Sequence, residues 1–164
     1  MNTRPQFATW SFDVSIFELS MILAQGASLH LISEAQYHTP VLLDDVIEKH
    51  QITHAVLPPV LLPHLAPEKW RSVSTLIVAG EAITPKVAVQ WVQGRKFFNG
   101  YGPTETTVCV TIGQLTGEKV TIGKPLYNTV IRILDAKGNL APIGAAGELC
   151  VGGIQLARGL SQCP

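Results

Sequence analysis

A seven-residue segment of this chain combines the residue types that hold a nucleotide together with its metal ion. The segment runs from Asn99 to Glu105 and reads Asn-Gly-Tyr-Gly-Pro-Thr-Glu. Its two glycines follow an expected strand and precede an expected helix, where backbone amides can approach a phosphate closely. Glu105 would repel a pyrophosphate unless a cation lay between them, so the pattern predicts Mg²⁺ at this carboxylate. Thr104 offers a hydroxyl to phosphate, and Tyr101 offers an aromatic face to a base.

Local spacing alone does not distinguish this nucleotide site from an ordinary Gly-Pro turn with a solvated glutamate. The elements around it alternate in a regular way, since stretches rich in Val, Ile and Leu separate helices of about ten residues, as in parallel β-α-β units. A capping-box sequence at Ser15 and Thr-Pro pairs at Thr39 and Thr84 predict helix starts. The expected helices cover residues 15–25, 41–50 and 85–92, and the expected strands cover residues 27–32, 53–57, 75–79 and 96–98.

The pattern changes after about residue 116. Apolar stretches at residues 130–134 and 147–151, together with the glycine-containing segment at residues 136–139, predict short antiparallel strands joined by a turn. We therefore predict an α/β fold with parallel β-α-β layers in residues 1–115, followed by a β-rich unit in residues 116–164.

The composition describes one folded domain and argues against several classes of protein. The chain has 164 residues, 46% of them apolar and 15% charged, and its twelve basic side chains balance twelve acidic ones. A chain of this length can bury a core without disulfides or a structural metal. Zero net charge without a basic cluster argues against nucleic acid as a partner, and no apolar run approaches the ~18 residues of a membrane span. With no signal-peptide layout at the start, the expected location is the cytosol.

Two further features of the composition concern surface and thiols. Typical globular chains carry about 25% charged residues, so the low charge content here predicts apolar surface meant for a neighbour, and hence a piece of something larger. Cys109, Cys150 and Cys163 form no C-x-x-C pair and are expected to be reduced thiols. Cys109 has no histidine near it in sequence that would activate it as a nucleophile.

The segment from Asn99 to Glu105 resembles the signature of adenylate-forming enzymes, and specifically that of the amino-acid adenylation domains of nonribosomal peptide synthetases. Further segments resemble the same family in order and spacing: Phe12–Ser15, Leu57–Pro59 with Val78–Glu81, and Gly147–Gly153 continued by Leu156–Gly159. The resemblance covers the chain from about Phe7 to Gly159. It implies the family's large N-terminal domain and the start of a barrel-like subdomain that is truncated at its C-terminal end.

The resemblance also implies roles for individual residues. Glu105 is expected to bind Mg²⁺ and Thr104 to contact phosphate, as the catalytic groups. Asp13 is expected to pair with the α-ammonium group of an amino acid through a charge-assisted contact, although a carboxylate there also favours a helix N-terminus. The adenine nucleotide is expected to contact Gly80, Glu81, Asn99, Thr104 and Tyr101, with the ring of Tyr101 on adenine.

The substrate's side chain is expected to lie in a pocket of uncharged residues. Such a pocket disfavours Asp, Glu, Lys and Arg, because an unpaired buried charge is costly. We therefore expect a large apolar or aromatic amino acid as the substrate. The lining residues that the resemblance implies are Val14, Phe17, Val56, Ile77, Ala79, Gly100, Val108 and Cys109.

The family's reaction joins an amino-acid carboxylate to the α-phosphate of ATP, which gives aminoacyl-AMP and pyrophosphate. The resemblance implies ATP/AMP and Mg²⁺ as cofactors, with a peptidyl carrier protein bearing phosphopantetheine and a condensation domain as partners in secondary metabolism. Two other functions stay open. One is an acyl- or aryl-CoA ligase of the same superfamily, which would leave Asp13 unpaired. The other is a non-catalytic nucleotide-binding or structural remnant.

Several of the family's elements have no counterpart in this sequence. The phosphate loop, the ribose-binding aspartate and the catalytic lysine on a mobile C-terminal domain are missing, and Leu160 stands where the family continues with tyrosine. We therefore expect a central slice of an adenylation domain that is inactive or nearly so on its own.

Overall fold

The computed structural model describes residues 3–117 and 119–159, and its largest layer is a five-stranded sheet. Strands β3 (His54–Leu57), β4 (Thr75–Val78) and β5 (Lys96–Tyr101) run parallel to one another. Strands β6 (Thr111–Gln114) and β7 (Lys124–Pro125) extend the sheet in antiparallel pairing. The predicted α/β fold with parallel strands is confirmed.

Two smaller strand pairs flank this sheet in the chain. Strand β1 (Thr3–Gln6) pairs in parallel with β2 (Ser28–Leu31), and helix α1 (Val14–Gln25) connects them. Strand β8 (Thr129–Leu134) pairs in antiparallel fashion with β9 (Glu148–Gly153). Parallel pairing needs such a crossover helix, whereas an antiparallel pair needs only a turn.

Short helices make the remaining connections. Helix α2 (Glu34–His38) precedes α3 (Pro40–Lys49), and α4 (Pro85–Trp91) lies between β4 and β5. Short 3₁₀ segments of one or two turns occupy Pro59–His64, Pro67–Trp70 and Thr104–Thr106. No helix within the described ranges is both long and apolar enough to cross a membrane.

Helix α1 begins differently from the prediction. Its N-cap is Asp13, whose side chain makes no capping hydrogen bond. The Ser15 hydroxyl donates to the carbonyl oxygen of Phe12 at 2.7 Å, and Glu18 accepts amide protons from the chain before the helix. The capping box predicted at Ser15 is therefore wrong, because backbone amides outside the helix compete successfully for the Glu18 carboxyl group.

Other boundaries also differ from the sequence prediction. Strand β5 continues to Tyr101, so the first part of the glycine segment is strand and not turn. The helix expected after that segment is a single 3₁₀ turn. By contrast, residues 136–139 form a turn, as their glycine-containing sequence predicts, in which the Asp135 carboxylate accepts the amide protons of Lys137 and Asn139, each at 2.9 Å. These two bonds lower the pKa of Asp135 and satisfy the turn's amides locally, as an Asx turn does.

The predicted apolar surface is present on two parts of the structure. Around α1, the exposed side chains include Trp10, Phe12, Ile16 and Leu23, the last of which is 80% exposed. On and near the β8-β9 hairpin, Tyr127 is exposed to 98% and Ile154 to 88%. Patches of this kind mark surfaces that contact another part of a protein or a partner.

The main core lies between one face of the sheet and the helices α3 and α4. Alternate side chains of the parallel strands enter it, including Leu57, Leu76, Val78 and Phe97, as expected for a pleated strand with period two. Trp70 and Trp91 meet edge to face within this core, with ring centroids 5.4 Å apart.

Asp44 on α3 anchors the 3₁₀ turns to this core. Its carboxylate accepts the indole proton of Trp70 at 2.6 Å and the amide proton of Ala66 at 3.1 Å. Burial raises the pKa of Asp44, while its hydrogen bond to Trp70 lowers it. The neighbouring Asp45 is exposed and pairs with Lys69 at 2.6 Å. The two adjacent aspartates therefore differ in burial while both reach the same turn.

Asp44→Ala is expected to lower the free energy of unfolding by about 2–4 kcal/mol, because it leaves the buried indole N–H of Trp70 and the half-buried amide of Ala66 unpaired. Asp45→Ala is the matched control and is expected to cost at most about 1 kcal/mol, as exposed ion pairs do. Chemical denaturation followed by tryptophan fluorescence measures both. Equal losses in the two variants would show that Asp44 is not the anchor.

Candidate functional site

The carboxyl ends of β3, β4 and β5 lie side by side at one edge of the sheet. The register pairs Leu57 with Val78, and Val78 in turn with Asn99. The three turns that leave these strands therefore meet at the same edge, which is where open parallel sheets bind their ligands. Two adjoining cavities open there.

The larger cavity, which we call the Tyr101 cavity, has a volume of about 480 Å³. All four residues predicted to line an adenine site without touching phosphate lie in its wall: Gly80, Glu81, Asn99 and Tyr101. Tyr101 leaves 39% of its surface exposed, so part of its ring is free for contact. Its wall is completed by Ala82, Ile83, Gly100, Gly102, Pro103, Val120, Thr121 and Ile122.

Asn99 is buried in the floor of the Tyr101 cavity. Its side-chain amide donates to the carbonyl oxygen of Thr121 at 2.9 Å. That bond holds the segment of Val120 to Ile122 against the end of β5. The amide oxygen of Asn99 stays available as an acceptor, because an Asn side chain carries both functions.

The second cavity, which we call the Phe7 cavity, has a volume of about 290 Å³. Its lining is mostly apolar, and the turn of Gly80 and Glu81 belongs to its wall as well as to that of the Tyr101 cavity. Glu81 is the one charged side chain among its lining residues in the described part of the chain. The others are Phe7, Ala8, Thr9, Phe12, Val14, Tyr37, Val56, Leu57, Pro58 and Ala79.

The predicted substrate pocket is distributed over this region. Val14, Val56 and Ala79 line the Phe7 cavity. Asp13 lies between two lining residues of that cavity, Phe12 and Val14, at the start of α1. Of the remaining predicted residues, Gly100 lines the Tyr101 cavity and Ile77 lines a smaller third cavity, while Phe17 and Val108 are half-buried outside all three linings.

Gly100, Ala79 and Cys109 meet between the two cavities. A Cβ atom placed on Gly100 would lie 3.4 Å from Cys109 Sγ and 3.7 Å from Ala79 Cβ. The Cys109 thiol donates to the carbonyl oxygen of Thr111 at 3.0 Å, and burial raises its pKa. A thiol held in this way is a poor nucleophile. Cys109 itself lines none of the three cavities and packs behind Gly100 instead.

The two predicted catalytic groups lie on the 3₁₀ turn beyond β5. Thr104 and Glu105 are exposed there, outside the linings of both cavities. The backbone of the turn is tied to the chain that follows β9. The amide of Ala157 donates to the carbonyl oxygen of Glu105, and the Thr107 hydroxyl donates to that of Gln155, each at 2.7 Å.

The chain between this turn and β6 is strained. Thr107 and Val108 have φ angles of 60° and 66°, in the left-handed region that β-branched residues strongly disfavour. On its other side Gly102 packs against the same stretch, where an added Cβ would come within 2.7 Å of Cys109 Cα and of the Val108 carbonyl oxygen. Strain of this kind persists only where the surroundings enforce it, and it clusters at functional sites.

Sequence reasoning missed several wall residues. Tyr37 lies on α2, a helix too short to show a period, although Ser33 and Gln36 form a capping box that would have located it. Phe7, Ala8 and the segment of Val120 to Ile122 carry no local motif. Their positions follow from contacts with chain that is distant in sequence.

The pattern of the family described as AMP-binding enzyme matches residues 5–160. The sequence is 43% identical over 163 residues to Gramicidin S synthase 1 of Brevibacillus brevis, which covers 97% of this chain and 15% of that protein. It is 40% identical over 158 residues to Tyrocidine synthase 1 of Brevibacillus parabrevis, covering 93% of this chain and 14% of that protein. The chain thus spans about a seventh of these relatives.

Solved structures with a similar fold also include a nonribosomal peptide synthetase and an adenylation domain. A four-domain nonribosomal peptide synthetase bound to AMP and glycine matches 96% of this chain and 12% of its own, with a TM-score of 0.89 and 30% identity. The adenylation domain AlmE of Vibrio cholerae, in complex with glycyl-adenosine-5'-phosphate, matches 97% of this chain and 33% of its own, with a TM-score of 0.87 and 27% identity.

The close packing at Gly102 generates a prediction about the turn after β5. Gly102→Ala is expected to lower the free energy of unfolding by about 2–4 kcal/mol, because its Cβ would overlap backbone that cannot move independently. Gly100→Ala serves as the matched control, since its Cβ would make ordinary contacts, and is expected to cost less than about 1 kcal/mol. Urea denaturation of both variants measures the difference. Similar costs would contradict the rigidity inferred for the turn.

Proposed function

This chain belongs to the AMP-binding enzyme family, and we propose that its two cavities receive an adenine nucleotide and an amino acid in an amino-acid adenylation site. The observation that carries the proposal is the shared wall: the Tyr101 cavity and the Phe7 cavity meet at Gly80 and Glu81. A carboxylate can attack an α-phosphate only when both reactants are held in contact. Adjoining sites for the two reactants meet that requirement.

The Tyr101 cavity suits an adenine nucleotide. The exposed ring of Tyr101 offers an apolar face for the base, and the Asn99 amide oxygen can accept a proton from an exocyclic amine. Gly80 leaves space for close approach of a ligand to the backbone, because no atom lies within 4 Å of the place that a Cβ would take.

The Phe7 cavity suits the side chain of a large apolar or aromatic amino acid. Its lining is apolar apart from Glu81, Thr9 and the hydroxyl of Tyr37, and its volume of about 290 Å³ is at the lower end of the range for small-ligand sites. In the proposed complex, Asp13 pairs with the α-ammonium group at the cavity's border. An amino acid then places its carboxylate toward the Gly80–Glu81 wall.

The residues at Thr104 and Glu105 fit a magnesium ion that arrives with the nucleotide. A hydroxyl and a carboxylate supply the oxygen ligands that Mg²⁺ prefers, and Mg²⁺ is usually bound by one or two carboxylates together with substrate phosphates. The described residues contain no group of three or more His, Cys, Asp or Glu side chains that could hold a metal by themselves. When bound, the ion neutralises phosphate charge, and the Ala157 amide holds the backbone that presents Glu105 to it.

We further propose that this chain binds its ligands without catalysing the adenylation reaction. The linings of both cavities lack lysine and arginine in the described residues, so no cation other than Mg²⁺ would stabilise there the charge that develops on the α-phosphate as the adenylyl group is transferred. In the longer relatives' setting, the activated amino acid would pass to phosphopantetheine on a carrier protein beside a condensation domain. Amino-acid-dependent pyrophosphate exchange by the purified chain would contradict the proposal that it binds its ligands without catalysis.

Calorimetric titration with ATP tests the proposed metal role of Glu105. Saturable binding is expected only with Mg²⁺ present, and Glu105→Gln is expected to weaken it by about tenfold, since a neutral amide is a poor Mg²⁺ ligand. Glu68→Gln, which removes another exposed carboxylate on a 3₁₀ turn, is the matched control and is expected to leave binding unchanged. Binding by wild type that ignores both Mg²⁺ and Glu105 would refute this role.

A second titration tests the amino-acid role of Asp13. Wild type is expected to bind L-phenylalanine at least about tenfold more tightly than 3-phenylpropionate, because only the former offers an ammonium group to a carboxylate. Asp13→Asn is expected to abolish that preference, whereas Glu81→Gln, which removes the carboxylate in the shared wall, is expected to keep it. Equal affinity of wild type for both probes would favour the acyl- or aryl-CoA ligase instead.

A further inference from the structure

Glu18 is a buried carboxyl group to which the proposed reaction assigns no part. It lies on the inner face of α1 with only 2% of its surface exposed. Its Oε1 atom accepts the Phe7 amide proton at 3.2 Å, and its Oε2 atom accepts those of Phe7 and Ala8 at 3.2 and 3.1 Å. A glutamate is rarely buried to this extent without such partners.

The two amides belong to a segment that has left its strand. Strand β1 ends at Gln6, where it pairs with Leu31 of β2, so the next residues have no strand partner. The Glu18 carboxyl group takes the place of that partner. A buried amide without an acceptor would cost free energy, so this contact fixes the path of the segment.

The same segment forms one wall of the Phe7 cavity. Phe7 and Ala8 both line it, and the Phe7 ring stacks on that of Tyr37, another lining residue, with centroids 4.7 Å apart. A shift of this backbone would therefore move two aromatic surfaces of the cavity together. The Tyr101 cavity has no lining residue in this segment.

Behind the wall, Glu18 borders a small third cavity of about 50 Å³ between α1 and the sheet. This cavity is lined mostly by apolar groups, among them Met21, Val56 and Ile77. His54 on β3 is the other titratable group in its lining, and its Nδ1 atom lies 2.9 Å from the Thr53 hydroxyl. Val56 also lines the Phe7 cavity, so the carboxyl group and the proposed amino-acid site share a wall residue.

We propose that Glu18 is a positioning residue for the amino-acid side of the site, holding the Phe7–Ala8 wall of the Phe7 cavity in place by accepting both backbone amide protons. The identity of the ligand as an amino acid rests on the proposed function. The role of Glu18 in holding the Phe7 and Ala8 backbone does not. Glu18 acts through the backbone and does not touch the amino acid.

The protonation of Glu18 provides a direct readout of this arrangement. Burial raises the pKa of its carboxyl group from the ordinary 4.5 to about 7, against the lowering effect of the hydrogen bonds from Ala8 and Phe7. As the pH rises through about 7, the Glu18 carboxyl group loses its proton, and the acceptor of the Phe7 and Ala8 amide protons becomes negatively charged. The native state also keeps a proton that the unfolded chain releases near pH 4.5, so stability falls between pH 4.5 and about 7 and is level above.

Two substitutions distinguish the role of Glu18 as a hydrogen-bond acceptor from the effect of its negative charge. Glu18→Gln keeps a carbonyl oxygen that can accept both amide protons, as Oε2 does now, but cannot titrate. Glu18→Met keeps the volume and removes the acceptor. Wild type and both variants are prepared in ¹⁵N-labelled form. The chemical shifts of the Phe7 and Ala8 amides are measured as the pH is varied and as L-phenylalanine or AMP is added, and the hydrogen-exchange rates of both amides are measured separately.

In wild type both amide resonances are expected to shift with a midpoint near pH 7. Glu18→Gln is expected to lose that titration while keeping the affinity for L-phenylalanine within about threefold. Glu18→Met is expected to exchange both amides at least about tenfold faster and to bind L-phenylalanine about tenfold more weakly, with AMP affinity unchanged.

The outcomes separate this inference from the proposed function. If wild type binds no L-phenylalanine but the amide titration and exchange effects appear, the proposed function fails and the holding role of Glu18 stands. If Glu18→Met protects both amides as wild type does, or binds L-phenylalanine as tightly, the inference is overturned. Should Glu18→Met fail to fold, an unchanged pH titration in Glu18→Gln overturns it instead.

Discussion

The parallel pairing of β3, β4 and β5 is the constraint on which the candidate site depends. Because their register brings Leu57, Val78 and Asn99 to one level, the chain must leave all three strands at the same edge. A slip of one residue in any strand would turn its core side chains to the other face. The apolar core on one side therefore fixes the geometry of the turns, and with them the position of both cavities.

Buried polar side chains then fix the segments that the sheet does not. Asp44 holds the 3₁₀ turns, Glu18 holds the chain after β1, and Asn99 holds the segment beyond β6. In each case a side chain supplies the partner for backbone groups that lack one in a strand or helix. Such bonds are expensive to leave unmade, so three side chains can set the course of long connections.

These two kinds of constraint differ in how far the sequence reveals them. Strands β3 to β5 were predicted because buried parallel strands read as continuous apolar runs, and α4 because Thr84 and Pro85 mark a helix start locally. The residues around the Tyr101 cavity were predicted through their resemblance to a family motif. In each case the information lies within a few consecutive residues.

The features that the sequence did not predict depend on contacts between residues that are far apart in the chain. The Glu18 carboxyl group fits a capping box by spacing, but its partners lie 10 and 11 residues earlier in the chain. The partner of Asn99 lies 22 residues later, and β7 has only two residues. No local pattern distinguishes a glutamate that caps its own helix from one that binds a distant amide, because the free energies of the two bonds are similar.

The boundary between the two cavities shows how these constraints combine in the proposed reaction. Ala79 directly follows β4, Gly100 lies in the adjacent parallel strand β5, and a Cβ on Gly100 would lie only 3.7 Å from that of Ala79. Small residues here leave little side-chain volume between the two cavities, and the strained chain at Thr107 and Val108 brings Cys109 against Gly100. If a carboxylate is to reach an α-phosphate, the separation of the reactants matters more than the affinity for either one. The strain at Val108 is then the cost of packing Cys109 behind Gly100, at the boundary of the two cavities.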